Sequence, residues 1–241
     1  MSQTIKYIDF PALEHANPDG LLAMGGELDK HTLVSAYAQG IFPWFNDDQP
    51  VLWWSPDPRL ILKPDEFKLS KSLRKRIRNS DYSLTANEHF TDVINACASR
   101  GATSLETASE DTWITEDMRS AYIDLHASCY AHSIEVCHQG KLVGGLYGIA
   151  LGSVFFGESM FSRHTDASKI ALFALCQWLI KRRYNMIDCQ VSSRHLISLG
   201  AKEISRSAFI NALKNIDINQ ADTNFKQGFE QYWADNVINT L

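Results

Sequence analysis

The stretch His132-Ser-Ile-Glu-Val-Cys-His-Gln-Gly-Lys-Leu-Val-Gly-Gly-Leu-Tyr-Gly-Ile-Ala-Leu-Gly-Ser-Val-Phe-Phe-Gly-Glu-Ser-Met-Phe161 decides the fold. Ile134 and Val136 alternate with Ser133, Glu135 and Cys137, the period-two pattern of a strand with one face buried. Gln139-Gly-Lys141 makes a turn, residues 142–151 a second strand, Gly152-Ser153 another turn, and residues 154–161 a third strand. Strands joined by turns this short form an antiparallel meander.

Downstream, residues 167–182 read as a long apolar helix with Asp166 as its cap. A strand over 186–191, a short helix over 194–199 and a strand after Gly200 complete that half. Upstream, helices are expected over 70–78, with Ser70 as N-cap, and over 86–99 and 116–126. Meander, helix, strand, helix and strand make a mixed α/β (α+β) domain of the GNAT-like acyltransferase type, mainly antiparallel, over residues 61–241. Residues 1–60 read differently, being rich in Gly, Pro and Trp. Asp29 caps a short helix through Gln39, with Gly40 as its stop, and Pro56 and Pro58 exclude a central strand or helix interior around them. This region is expected to form a small, loop-rich domain packed on its own aromatics.

Of the 241 residues, 45% are hydrophobic and 21% charged, which excludes disorder, collagen-like repeats and coiled coil. The longest apolar run, 170–180, is interrupted by Gln177 and flanked by Lys169 and Lys181, so it reads as a core helix and not a membrane span. No basic region followed by an apolar stretch opens the sequence, so a cytoplasmic chain without membrane association is expected. The five cysteines contain no CxxC and the eight histidines no HxxxH or HExxH, so no metal site is expected. Net charge is −5, yet six of the eleven residues from Lys68 to Arg78 are Lys or Arg and none is acidic. On the expected helix, Leu69, Leu73 and Ile77 form an apolar stripe, while Lys71, Arg74, Lys75 and Arg78 project from one face. That face suits a phosphate backbone, although a solvated charged face has the same pattern.

Three polar residues stand out in strands. Asp188 and Gln190 share one face of Ile187-Asp-Cys-Gln-Val191, with Ile187, Cys189 and Val191 on the other. From spacing alone, this is either a site or a half-exposed sheet edge. Glu158 is the lone charge among residues 154–161, hence either a buried cleft carboxylate or an outward-facing strand residue. Ser159 does not form a nucleophile elbow, because Phe161 stands where G-x-S-x-G requires glycine. Gly144, Gly145 and Gly148 fall in the middle strand of the meander and do not open a helix, which indicates a bulge or close backbone packing and not a phosphate cradle. Ser162-Arg-His-Thr-Asp-Ala-Ser168, which opens the long helix, has no glycine and carries Asp166, so acetyl-CoA is rejected as donor.

Together these residues resemble the leucyl/phenylalanyl-tRNA–protein transferases. The matching segments are Gly20-Leu-Leu-Ala-Met-Gly-Gly-Glu-Leu28, Gly40-Ile-Phe-Pro-Trp-Phe45, Trp53-Trp-Ser-Pro-Asp-Pro-Arg59 and Thr112-Trp-Ile-Thr115. They continue with His132-Ser-Ile-Glu-Val136, Gly157-Glu-Ser-Met-Phe-Ser162, Asp188-Cys-Gln190 and Ser198-Leu-Gly-Ala201, in order over about 180 residues. The resemblance implies a small N-terminal domain, a GNAT-like catalytic domain and no cofactor, neither ATP nor metal. It implies transfer of Leu or Phe, with Met as a further donor, from aminoacyl-tRNA to proteins with N-terminal Arg or Lys. Such acceptors are thereby marked for degradation by the N-degron (N-end rule) route. By the matching motifs, Glu158, Asp188 and Gln190 lie at the reaction centre. Trp44, Trp113, Tyr122, Phe155 and Met160 belong to substrate binding, and Lys71, Arg74, Lys75 and Arg78 to tRNA binding. Leu146 replaces a Met-like pocket residue, and residues 224–241 lack a Trp-Val-Pro-Arg-like tail. A monomer is expected. In this chemistry Glu158 and Asp188 are suited to hold the acceptor's cation, and Gln190 to accept from the attacking amine while Asp188 orients it. Two other readings are a transferase with another acceptor and a non-catalytic RNA-binding protein.

Overall fold

The computed structural model describes residues 4–99 and 114–236. The chain begins with β1 (Leu21–Met24), α1 (Lys30–Ala38), β2 (Phe42–Pro43), β3 (Leu52–Trp54) and β4 (Arg59–Leu62). There follow α2 (Lys71–Asn79), β5 (Tyr82–Ala86), α3 (Phe90–Ala98), α4 (Glu116–Ala127), β6 (Ala131–His138), β7 (Lys141–Leu151) and β8 (Val154–Ser162). The rest is α5 (Ala167–Lys181), β9 (Met186–Gln190), α6 (Arg194–Ser198), β10 (Lys202–Ile204), α7 (Arg206–Leu213) and α8 (Phe225–Asn236).

Helix starts follow side-chain chemistry. Asp29 accepts from the backbone N–H groups of His31 and Thr32, and Ser70 Oγ accepts from Leu73 N–H at 3.1 Å. Each such cap stabilises its helix by about 1 kcal/mol. Gly40, at φ +76°, ends α1 in a conformation that favours glycine. Asp166 departs from the expectation. It occupies the N-cap position of α5 but makes no side-chain cap, because its carboxylate is taken by Arg76 at 2.9 Å and Lys169 at 2.8 Å.

Among the described residues, β1, β3 and β2 form a small antiparallel sheet in that order. The main sheet runs β10-β4-β9-β8-β7-β6-β5, antiparallel except for the β8–β9 pair. The meander is thus β6-β7-β8, as its alternation and turns require. The register slips between Tyr147 and Gly148, where a Cβ on Gly148 would stand 2.2 Å from the Phe156 carbonyl oxygen. Close backbone packing, and not phosphate binding, explains that glycine.

Several expectations are corrected. Ala86 ends β5 and the helix starts only at Phe90, since β5 pairs along β6 through Ala86–Ile134. β4 starts directly after Pro58 and is an interior strand; the prolines lie between β3 and β4 and interrupt neither. β9 is flanked by β4 and β8, so the sheet-edge alternative for Asp188 and Gln190 fails.

The sheet is covered on both faces. One cluster joins Leu33, Tyr37 and Trp53 to Phe90, Tyr122, Tyr147 and Phe209, so buried side chains before residue 60 pack in one core with later ones. Residue 60 itself falls inside β4. The other cluster lies under α5 and α8, where Phe225, Phe229 and Trp233 pack with Trp178. Phe225 also stacks on His132, 4.2 Å between ring centroids, and burial lowers the His132 pKa to about 3.

Candidate active site

A parallel pair of strands that stops pairing early creates the site. β8 and β9 are in register from Val154–Met186 to Phe156–Asp188. The residues after this point, Gly157 to Met160 on one side and Cys189 to Val191 on the other, line a cavity of about 370 Å³. Its apolar wall comes from Leu146, Phe155, Met160, Leu172, Leu175 and Ile187. Trp44 stands at the rim, 41% exposed, with its ring 5.8 Å from that of Trp54. Trp54 Nε1 donates to the Trp44 carbonyl oxygen at 2.7 Å and fixes the rim's backbone.

The polar wall is Glu158, Asp188 and Gln190, all buried. Tyr37 Oη and Gln190 Nε2 donate to Glu158 Oε1 at 2.7 and 2.9 Å, and Tyr122 Oη donates to Oε2 at 2.9 Å. The two tyrosine hydroxyls also lie against each other; with one proton apiece, they bond each other only when Glu158 itself carries a proton and donates to one of them. Burial pushes the Glu158 pKa up to about 7; the tyrosine and Gln190 hydrogen bonds oppose the rise, and the charge of Asp188 adds to it. No cation pairs with Glu158 among the described residues. Burial and the Glu158 charge hold Tyr37 and Tyr122 well above the usual phenol range, so both remain donors.

Asp188 has the partner that Glu158 lacks. Arg59 grips it through Nε–Oδ1 at 2.8 Å and Nη2–Oδ2 at 2.7 Å. The guanidinium donates a further bond to the Gly40 carbonyl oxygen and lies between the rings of Phe42 and Phe209, 4.7 and 4.6 Å from their centroids. Asp188 Oδ1 also accepts the backbone N–H of Gln190 at 2.9 Å, at a residue held with φ +62°. Gln190 is therefore fixed at both ends, by Asp188 at its backbone and by Glu158 at its amide nitrogen. The amide oxygen is the end without a bond among the described residues.

The expected residues thus separate into groups. Glu158, Asp188, Gln190, Phe155, Met160 and Trp44 come together around one cavity. Tyr122 does not line it but holds Glu158 from behind. Trp113 lies outside the described residues. Asp188 is not free for an acceptor's cation, because Arg59 already occupies both its oxygens. Lys71, Arg74, Lys75 and Arg78 are exposed along α2 and form no ion pair among the described residues, while Arg76 turns to Asp166. Sequence reading missed Arg59 and Tyr37. Arg59 is the single charge heading the apolar run Arg59-Leu-Ile-Leu62, a signal of burial with a partner; Tyr37 had no such signal.

The model of the leucyl/phenylalanyl-tRNA protein transferase family matches residues 61–214, and that of its N-terminal domain matches residues 26–57. The chain belongs to this family. Leucyl/phenylalanyl-tRNA–protein transferases from Stutzerimonas stutzeri and Chromohalobacter salexigens are 51% and 54% identical to it, each over 208 residues. These alignments cover 86% of this chain in both cases, and 90% and 79% of the respective relatives. A GCN5-related N-acetyltransferase from Kribbella flavida overlaps at a TM-score of 0.36 with 12% identity, over 69% of this chain and 57% of that one. Within the family match, Tyr37 and Trp44 fall in the N-terminal segment and Glu158, Asp188 and Gln190 in the second; Arg59 lies between the two.

Proposed function

We propose that this protein transfers leucine or phenylalanine from aminoacyl-tRNA to the α-amine of proteins beginning with Arg or Lys, without ATP, and so marks them for N-degron degradation. The reading places it in the cytoplasm, where charged tRNA is made, and has it act as a monomer. One observation carries it beyond family membership: an apolar cavity of donor side-chain size meets, at one wall, a buried carboxylate with no cation of its own among the described residues.

The reaction is aminolysis of an activated ester. The acceptor's α-nitrogen attacks the ester carbonyl carbon, a C–N bond forms, and the C–O bond to the terminal ribose breaks. The proton lost by nitrogen ends on the departing ribose oxygen, so atoms and charge balance. An α-amine titrates near ~7.7–8.0, leaving a useful neutral fraction at pH 7. The site's contribution is to hold amine and ester at attack distance, worth ~7–11 kcal/mol when the geometry is right.

Each wall has a part. Leu146, Phe155, Met160, Leu172 and Leu175 take the donor side chain, with Trp44 at the rim toward the terminal adenosine. Gln190, held at both ends, offers its amide oxygen to an N–H of the attacking amine. Arg59 and Asp188 are positioning residues, acting through Gln190. Glu158 receives the acceptor's guanidinium or ammonium, which supplies the countercharge that this carboxylate lacks. The cations of α2 bind phosphates of the tRNA body. The test is an Arg-initiated peptide offered with a free or an acetylated α-amine. Leucine appears on the free peptide alone; modification of the acetylated peptide would place transfer on another nucleophile.

A further inference from the structure

The cationic surface does not stop at the end of α2. Three residues beyond that helix, Tyr82 opens β5 and pairs with His138, the last residue of β6; His138 in turn pairs with Lys141, the first residue of β7. Arg163 and His164 follow β8 directly and hydrogen-bond the Val143 carbonyl oxygen of β7 through their backbones. Four strand ends thus deliver Tyr82, His138, Lys141, Arg163 and His164 to one end of the sheet.

The cluster is physical as well as topological. The His138 and His164 rings lie 5.4 Å apart, with the Tyr82 ring 5.7 and 6.3 Å from them. Lys141, Arg163 and His164 are exposed. Arg163 lies over the Phe161 ring at 5.4 Å and so is braced on its apolar side. The nearby Asp166 does not cancel this charge, because Arg76 and Lys169 already neutralise it. That same Arg76–Asp166 bond ties α2 to the loop carrying Arg163 and His164. The other acidic residues nearby are Asp81, beside Tyr82 in sequence, and Asp92 of α3, which lines a cavity with Arg163. The cleft opens at the same end of the sheet: from Glu158 to the last residue of β8 is four residues, about 13 Å at strand rise.

We infer that this sheet-end cluster of Lys141, Arg163, His138, His164 and Tyr82 is a second RNA-backbone contact, which carries the donor's phosphates from α2 toward the cleft. The occupant is set by charge and form. A row of cations with intervening imidazole N–H and phenol O–H donors matches a chain of phosphates, and Lys141, Arg163 and His164 are exposed to meet it. The inference rests on the reading that the donor is a tRNA.

The experiment measures the Kd of tRNA at several salt concentrations for the full-length protein and for Lys141→Glu and Arg163→Glu. Lys181→Glu, at the opposite end of α5, is the control for net charge alone. Each sheet-end reversal is expected to weaken binding about 3- to 10-fold and to lower the salt slope by about 1, with the control unchanged. Unchanged Kd and slope in both variants, or an equal loss in Lys181→Glu, overturns the inference. The expected binding pattern without any leucine transfer by the wild-type protein would overturn the proposed function and leave this RNA surface standing.

Discussion

Arg59 and Asp188 meet through the Nε–Nη2 edge of the guanidinium and both carboxylate oxygens, at 2.8 and 2.7 Å, and both side chains are fully buried. Arg59 belongs to β4 and Asp188 to β9, so the pair joins the strand that leaves the N-terminal region to the strand that carries Gln190. The carboxylate that looks most available for chemistry is thereby consumed in placing its neighbour. Two consequences follow for mutagenesis. Removing one partner leaves a buried charge uncompensated, which typically costs about 3–5 kcal/mol. Replacing both partners with apolar residues removes that penalty.

Arg59→Met is therefore expected to lower the melting temperature sharply, whereas Arg59→Met with Asp188→Leu recovers most of the loss. Neither variant restores kcat. Arg59→Lys keeps the charge but loses the fork, and should reduce kcat at least tenfold with KM for Leu-tRNA nearly unchanged. Steady-state kinetics and thermal unfolding on the three proteins check this; a double variant with normal kcat would remove the positioning role.

Glu158 makes folding pH-dependent in a direction opposite to that of a salt-bridged carboxylate. Its pKa is about 7 in the folded chain, against an ordinary value near 4.5. Between these values the folded state holds the proton and the unfolded state has lost it, so stability falls as pH rises through that window and stays reduced above it. Glu158→Gln removes the titration. Its unfolding free energy relative to wild type should shift in its favour by about 2–3 kcal/mol between pH 5 and pH 8. Denaturant melts at the two pH values provide the check; a difference that does not change with pH contradicts the assigned burial.

Donor choice is a matter of cavity volume. Leu146 and Met160 face each other across β7 and β8, and both line the cavity. Leu146→Phe should fill the space used by an aromatic donor and shift the preference from Phe toward Leu. A misfit of this kind is worth ~1–3 kcal/mol, or ~10- to 200-fold in kcat/KM. Competition between Leu-tRNA and Phe-tRNA in one reaction measures the ratio directly, and an unaltered ratio would remove Leu146 from the donor pocket.

For α2, reversing Lys71 and Arg74 to Glu together should raise KM for aminoacyl-tRNA on the order of tenfold while kcat holds. The slope of log KM against log salt should fall by about 2, one for each phosphate that is no longer neutralised. An unchanged KM returns the helix to a solvated charged face.

Much of this is legible in sequence where local rules act alone. The alternation around Ile134 and Val136, with its glycine turns, specifies the meander, and Asp29 and Ser70 mark helix starts that exist. Asp166 misleads because its position suggests a cap while two cations, Arg76 and Lys169, claim its carboxylate. Nothing local marks Leu60-Ile-Leu62 as an interior strand, since its partners β9 and β10 lie more than a hundred residues away. The same long range hides which residue partners Arg59, and the whole role of Tyr37. Glu158, Asp188 and Gln190 stand out as unusual strand residues, but spacing carries no information on which carboxylate already has a cation.

The most direct measurement of the central claim is transfer of radiolabelled leucine from Leu-tRNA, without ATP, to a peptide beginning with Arg and to a matched one beginning with Ala. The account predicts label on the Arg peptide, little on the Ala peptide, and loss of the Arg signal in Gln190→Ala at undiminished tRNA binding. Label on neither peptide with intact tRNA binding, or equal label on both, would contradict it.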